Sequence, residues 1–138
     1  MKRSFLNIIT LDGKEIRIAE FGFFADSPSF DGNTVIFRRD GNHMRLDLTS
    51  GVISSCDAFS TKKKRASTDG KYSVRLEFTS PIIDGLGYCE MILRDTKNDN
   101  EQVLVRFMGC ADSIGDMPFS VDSKQIVFFG YPADEFGE

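Results

Sequence analysis

Hydrophobic and polar positions alternate along most of the chain, with a period of two. Met44, Leu46 and Leu48 alternate with His43, Arg45 and Asp47. Tyr72, Val74, Leu76 and Phe78 form one series, and Ser73, Arg75, Glu77 and Thr79 the other. Cys89, Met91 and Leu93 alternate with Glu90, Ile92 and Arg94, and Val103, Val105 and Phe107 with Leu104 and Arg106. Successive side chains of a pleated strand point to opposite faces, so only one series can reach a core. Strands that bury one face and wet the other belong to antiparallel sheets. No segment sustains a helical stripe for three turns, and at most a short helical turn is expected near Ala111 to Gly115.

Turn chemistry supports this reading. Asp-Gly occurs at 12–13, 31–32, 40–41 and 69–70. Glycine supplies positive φ at little cost, and Asp hydrogen-bonds its own backbone. The pattern predicts hairpins from Leu6–Leu11 to Glu15–Ala19, from Thr34–Arg39 through Asp40-Gly41-Asn42 to His43–Leu48, and from Gly87–Arg94 through a polar loop to Glu101–Phe107. Expected is one all-β domain over residues 1–138, built of antiparallel meander sheets. It ends in a polar, acidic tail over 131–138 that carries Asp134, Glu135 and Glu138.

A further pattern recurs three times, as a Ser or Pro lead-in, an Asp turn and an apolar strand. The copies are Ser27-Pro28-Ser29-Phe30-Asp31-Gly32 before Thr34–Phe37, Arg65-Ala66-Ser67-Thr68-Asp69-Gly70 before Tyr72–Val74, and Pro118-Phe119-Ser120-Val121-Asp122-Ser123 before Gln125–Phe129. These segments resemble the blade motif of TolB-like and WD-repeat-like β-propellers. The resemblance covers about a third of the chain and implies four-stranded blades with partner binding on an end face. The turn aspartates fall unevenly, at 31, 69 and 122, whereas a true repeat holds near roughly 40 residues. Closing a ring takes about four blades or more, too many for 138 residues at that spacing. The expectation is an open sandwich or a partial propeller-like stack of two to three sheets, not a closed propeller.

Charge and composition narrow the function. There are 17 Lys and Arg against 21 Asp and Glu, a formal net charge of −4. That balance argues against nucleic-acid binding through general basicity. Lys62-Lys63-Lys64-Arg65, the one dense basic run, lacks interleaved aromatics and reads as a solvated loop or an anion contact. No apolar run approaches the roughly 20 residues of a membrane-spanning helix. The basic N-terminus, Met1-Lys2-Arg3, leads into a stretch broken by Asn7 and Thr10, which reads as a first strand and not a leader. Cys56, Cys89 and Cys110 form no CxxC and read as reduced thiols of a cytoplasmic protein.

Candidate chemistry is sparse. His43, the only histidine, sits in the polar phase of its strand and should face solvent. The spacing of Cys56, Cys89, Cys110 and His43 does not suggest a zinc site, nor does it pair a cysteine with His43 as nucleophile and base. Gly85-Leu86-Gly87 lacks the context of a phosphate loop. Asp95 to Glu101 is too short for an EF-hand loop. No catalytic set, cofactor site or metal site is expected, and binding outranks catalysis.

Phe21, Phe23, Phe24, Phe30, Phe59, Phe119, Tyr131 and Phe136 fall outside clean strands. They either complete the core or stand exposed as interface anchors among acids. In size, acidity and lack of chemistry the chain resembles small bacterial toxin-immunity proteins, such as those of contact-dependent growth inhibition. That resemblance implies a cytoplasmic, non-enzymatic inhibitor that masks the active site of a cognate toxin, often a basic nuclease. Its carboxylates would stand where substrate phosphates bind, with no direct contact to nucleic acid or membrane. Asp95, Asp99, Glu101, Asp112, Asp116, Asp134 and Glu135 are the expected partner-binding residues. A propeller-like scaffold or sensor, whose open edges an oligomer would cover, is the alternative, followed by a small metal-dependent hydrolase.

Overall fold

The computed structural model describes residues 3–57 and 65–132. The described residues form ten strands and no helix: β1 (Ser4–Thr10), β2 (Glu15–Phe21), β3 (Asp26–Asp31), β4 (Thr34–Arg39), β5 (Asn42–Asp47), β6 (Ile53–Ser55), β7 (Tyr72–Phe78), β8 (Gly87–Asp95), β9 (Glu101–Gly109) and β10 (Gln125–Gly130). The three expected hairpins are β1–β2, β4–β5 and β8–β9. Ala111 to Gly115 forms turns, not a helical turn.

The strands assemble into three antiparallel sheets, ordered β10-β1-β2, β3-β4-β5-β6 and β7-β8-β9. Isolated bridges lengthen two of them. Ala66 pairs with Ser73 beside β7, and Phe119 with Ile126 beside β10. Each sheet thereby has four antiparallel segments and contains one copy of the recurring motif; the second and third are meanders, and the first pairs β10 with β1. The first sheet joins the two ends of the described chain, since β1 pairs with β10 from Phe5↔Gly130 to Thr10↔Gln125. The stack of sheets is open, as the uneven motif spacing predicts.

Two cores flank that first sheet. Leu6, Ile8, Val127 and Phe129 point to one side and meet Val35, Phe37 and Leu46 of the second sheet. Ile9, Ile126 and Phe128 point to the other and meet Val74, Met91 and Leu93 of the third. Burial on both faces explains why 126–129 reads Ile-Val-Phe-Phe without alternation. The second and third sheets each cover one side of the first and turn their remaining faces outward.

Those outward faces are laced with ion pairs. On the second sheet Arg38 reaches Asp26 at 3.1 Å and Arg45 reaches Asp31 at 2.9 Å. On the third, Arg75 bridges Glu77 and Glu101, each at 2.6 Å, while Arg94 pairs with Asp99 and Arg106 with Glu90. Ile92 shares this outer face, as its place in the sequence alternation predicts, yet it is 6% exposed. The long charged side chains around it cover it with their stems.

The aromatics expected outside clean strands are buried or half-buried where they are described, and Phe21 and Phe30 lie within β2 and β3. Phe21, Phe30, Phe119 and Tyr131 are buried and Phe23 and Phe24 half-buried, while Phe59 and Phe136 lie outside the described residues. The interface-anchor alternative therefore fails for the buried four. Phe21 stacks between Phe23 and Phe37, with ring centroids 4.9 and 5.3 Å away. Tyr131 stacks on Phe24 at 5.1 Å and donates its hydroxyl to the Ala25 carbonyl at 2.6 Å. Tyr131 and Pro132, placed by the sequence in the polar tail, are thus buried. The acids of that tail lie outside the described residues.

Candidate functional site

The strand directions gather six turns at one end of the molecule: 10–14, 31–34, 47–53, 67–72, 95–100 and 120–125. The recurring motif supplies three of them. In two copies its chemistry is the same, bond for bond. The Ser67 N–H donates to the Tyr72 carbonyl (2.8 Å), and its hydroxyl accepts from the Tyr72 N–H (2.9 Å) and donates to Asp69 (2.6 Å). Asp69 also accepts from the Lys71 N–H at 3.0 Å. Ser120, Asp122, Lys124 and Gln125 repeat this arrangement, with Ser120 donating to Asp122 at 2.6 Å. The first copy differs. Its strands pair closer to the tip, Asp31 against Thr34, so Asp31 is left to accept from Arg45 and the Ser29 hydroxyl from the Met117 N–H.

These turns leave carboxylates at the end of the molecule and favour their charged form. The Ser67 hydroxyl, then the Lys71 N–H, hold Asp69 below the usual carboxylate range. Ser120 and the Lys124 N–H do the same for Asp122. The Ser50 and Thr49 N–H groups lower Asp47, and the Thr10 hydroxyl lowers Asp12. Hydrogen bonds given to the charged form favour it. In the sequence Asp12, Asp69 and Asp122 read only as turn formers and Asp47 as a polar strand position. The Asp-Gly and Ser-x-Asp spacing was the signal that would have gathered the first three.

Three of the expected partner-binding acids join this end. Asp95, Asp99 and Glu101 belong to the β8–β9 turn, beside a cleft of about 310 Å³ lined by Leu11, Tyr72, Leu93, Asp95, Asn100, Glu101 and Gln102. Gln102 fixes one wall by donating to the Leu11 carbonyl at 3.2 Å. Asp95 accepts from the Lys97 N–H at 2.9 Å, Asp99 pairs with Arg94, and the Arg75 guanidinium holds Glu101 below the usual range. Tyr72, Asn100 and Gln102 were missed. Their places in an alternating strand and a polar loop gave no sign that they line a cleft.

Asp112 and Asp116 are not part of that grouping. They sit on the segment running back along β3, where Asp112 faces Arg38 at 3.8 Å and the Asp116 carbonyl accepts from the Arg65 N–H at 3.0 Å. Asp134, Glu135 and the lysines of the basic run lie outside the described residues. His43 is half-buried, and its carbonyl accepts from the Cys56 N–H at 3.1 Å. Cys89 and Cys110 are buried elsewhere, and among the described residues no three metal-ligating side chains converge. The acceptor-rich cleft with one phenol hydroxyl suits an ammonium or guanidinium group.

The three-sheet arrangement has a counterpart among solved structures. A structure described as that of a "putative TolB" from Agrobacterium tumefaciens superposes with a TM-score of 0.69 at 10% identity, over 96% of this chain and 99% of that one. The likeness is one of fold. It bears out the TolB-like resemblance carried by the three Asp turns, which lie at matching places in the three sheets. No family model matches the chain, and no curated protein does. Among the described residues no helix is long and apolar enough to cross a membrane.

Proposed function

We propose that the chain is a non-enzymatic protein-binding module, an immunity or inhibitor protein that masks the active site of a cognate bacterial toxin in the cytoplasm. The reading is carried by the end face, where Asp12, Asp47, Asp69 and Asp122 are fixed in place by hydrogen bonds built into their own turns. Asp95, Asp99 and Glu101 add acceptors beside the cleft. Lys14, Lys71, Lys97 and Lys124 are interspersed, and Arg75 and Arg94 pair with Glu101 and Asp99, so the seven carboxylates named exceed these cations by one. A preorganised array of carboxylates suits a basic nuclease site, since it can stand where substrate phosphates would bind and steer the encounter.

The test is calorimetric titration into a panel of toxin nuclease domains. Submicromolar binding to one of them, weakening as salt rises, is expected. Micromolar or weaker binding to all of them removes the reading. The second reading, a propeller-like scaffold or sensor module, is favoured by the fold likeness. A stable oligomer in light scattering would support it over an inhibitor.

A further inference from the structure

The three outer sheet edges are guarded unequally. An edge strand presents unpaired N–H and C=O groups to any extended chain, and folded proteins blunt it with charge, bulges or proline. β2 carries Glu15, Arg17 and Glu20, and an extra residue at Ile18 shifts its register against β1. β9 carries Glu101 and Arg106, and an extra residue at Leu104 shifts its register against β8. The stretch around β6, Val52 to Cys56, has no charged residue, no proline and no bulge against β5. Val52 is 62% exposed and Ile53 39%.

The pairing decides which backbone groups are free. Asp47 donates its N–H to the Val52 carbonyl at 3.0 Å, and Cys56 its N–H to the His43 carbonyl at 3.1 Å. Antiparallel pairs alternate between bonded and non-bonded partners. Val52, Ser54 and Cys56 therefore turn their backbone groups toward β5, and Ile53 and Ser55 turn theirs to the open side. Among the described residues nothing pairs with them there. The side chains divide in the same alternation. Ile53 and Ser55 lie across from Leu46 and Met44, at the border of the first core, while Ser54 lies across from Arg45. Beyond Ser55 a depression of about 370 Å³, bordered by Arg39, His43 and Cys56, leaves room for a larger side chain.

We propose that the β6 edge docks an extended segment of another protein as a fifth strand of the second sheet. The segment is uncharged and places β-branched or other apolar side chains at the alternate positions beside Ile53. Main-chain hydrogen bonds to Ile53 and Ser55 hold it, and the apolar border beside Leu46 selects it. A second copy of this chain is a poorer occupant. Twofold self-pairing of so short a strand sets Ile53 against Ser55 and buries far less than the roughly 1,000 Å² of a specific interface. A heterologous strand brings its own body to supply the rest. The inference rests on the protein-binding reading and names a surface on the second sheet, away from the acidic cleft of the third.

Amide hydrogen exchange of the full chain, followed by NMR, tests it. The probe is a blocked hexapeptide alternating threonine and valine, with a control N-methylated at alternate residues. At millimolar peptide, exchange at the Ile53 and Ser55 amides should slow by about tenfold or more, and the N-methylated control should leave it unchanged. Ile53→Lys and Ser55→Pro should each abolish the effect. Neither change removes a hydrogen bond to β5, and an unaltered far-ultraviolet spectrum verifies their folding. Unchanged exchange at Ile53 and Ser55 would overturn the proposal. So would equal slowing along β2 or β9, or the same protection on concentrating the protein alone. Peptide capture at β6 with every toxin refused would uphold this inference while removing the inhibitor reading, and toxin binding with an unresponsive β6 would overturn this inference alone.

Discussion

At the scale of single residues, the recurring motif shows how one position can be asked for two things. The residue after the turn Asp is left-handed in every copy, with φ of 59° at Gly32, 76° at Gly70 and 62° at Ser123. An L-residue is disfavoured there by about 1–2 kcal/mol. Ser123 is nevertheless buried, its hydroxyl 2.6 Å from that of Thr68 and 3.3 Å from the Asp69 N–H, which it accepts. The hydroxyl thus ties two motif copies together and offsets the backbone cost. Ser123→Ala loses the tie and keeps the strain, so it should destabilise by about 1–2 kcal/mol. Ser123→Gly loses both and should stand about 1 kcal/mol above the alanine variant in urea unfolding. Equal losses would remove the strain argument. The thiols allow a second measurement at this scale. Burial pushes Cys89 up to about 12 and raises Cys110 as well, while Cys56 is half-exposed. A thiolate-directed reagent should label Cys56 rapidly in the native protein and the other two only in denaturant, as mass spectrometry of peptides would show. Rapid native labelling of Cys89 would contradict the packing described.

At the scale of elements, the segment from Cys110 to Met117 fastens the second and third sheets to each other. Its backbone meets β3 through Ser27 N–H to the Asp112 carbonyl (2.7 Å), Gly115 N–H to the Pro28 carbonyl (2.9 Å) and Phe30 N–H to the Met117 carbonyl (2.9 Å). Arg65, beside the third sheet, donates to the Asp116 and Ile114 carbonyls. So close an approach leaves no space at Gly115, where a Cβ would fall 2.6 Å from the Pro28 carbonyl and 2.5 Å from the Ser29 hydroxyl. Gly115→Ala should therefore cost about 1–3 kcal/mol or more, read as a lowered urea midpoint with the slope unchanged. A neutral result would mean that the segment shifts freely. This segment was also the least legible part of the chain. The β4–β5 and β7–β8–β9 strands show in the sequence because each wets one face, and β10 shows as an unbroken apolar run. The Cys110–Met117 segment has neither period. Its order comes from backbone contacts with strands distant in sequence, which no local pattern encodes. The same limit separated Asp112 and Asp116 from the β8–β9 acids. Loop acids look alike in sequence, and only the direction of the strands sorts them to one end or the other.

At the scale of the molecule, the outward faces of the second and third sheets act as caps. Exposed single ion pairs contribute little to stability, about 0–1 kcal/mol each. Their larger effect is on association, because a further sheet stacking on Arg75, Arg94 and Arg106 would have to desolvate a whole network. Terminal units of stacked architectures need such polar outer faces to stay soluble. Light scattering should accordingly give the mass of one 15.5 kDa chain, and a stable oligomer would show that the caps fail. The end face lends itself to a measurement of its own through pH. Asp12, Asp47, Asp69 and Asp122 have folded-state values below the roughly 3.9 of an unfolded chain. A group depressed in this way stabilises the fold fully above its unfolded value, and that stability is lost as pH falls through the folded value. The thermal midpoint should therefore hold steady near neutrality and decline below about pH 4. In Asp69→Asn with Asp122→Asn the neutral midpoint should be lower and the acid decline shallower, because those two carboxylates no longer take up protons on unfolding. An acid decline as steep as that of the unaltered protein would mean that the turn carboxylates are not what acid removes.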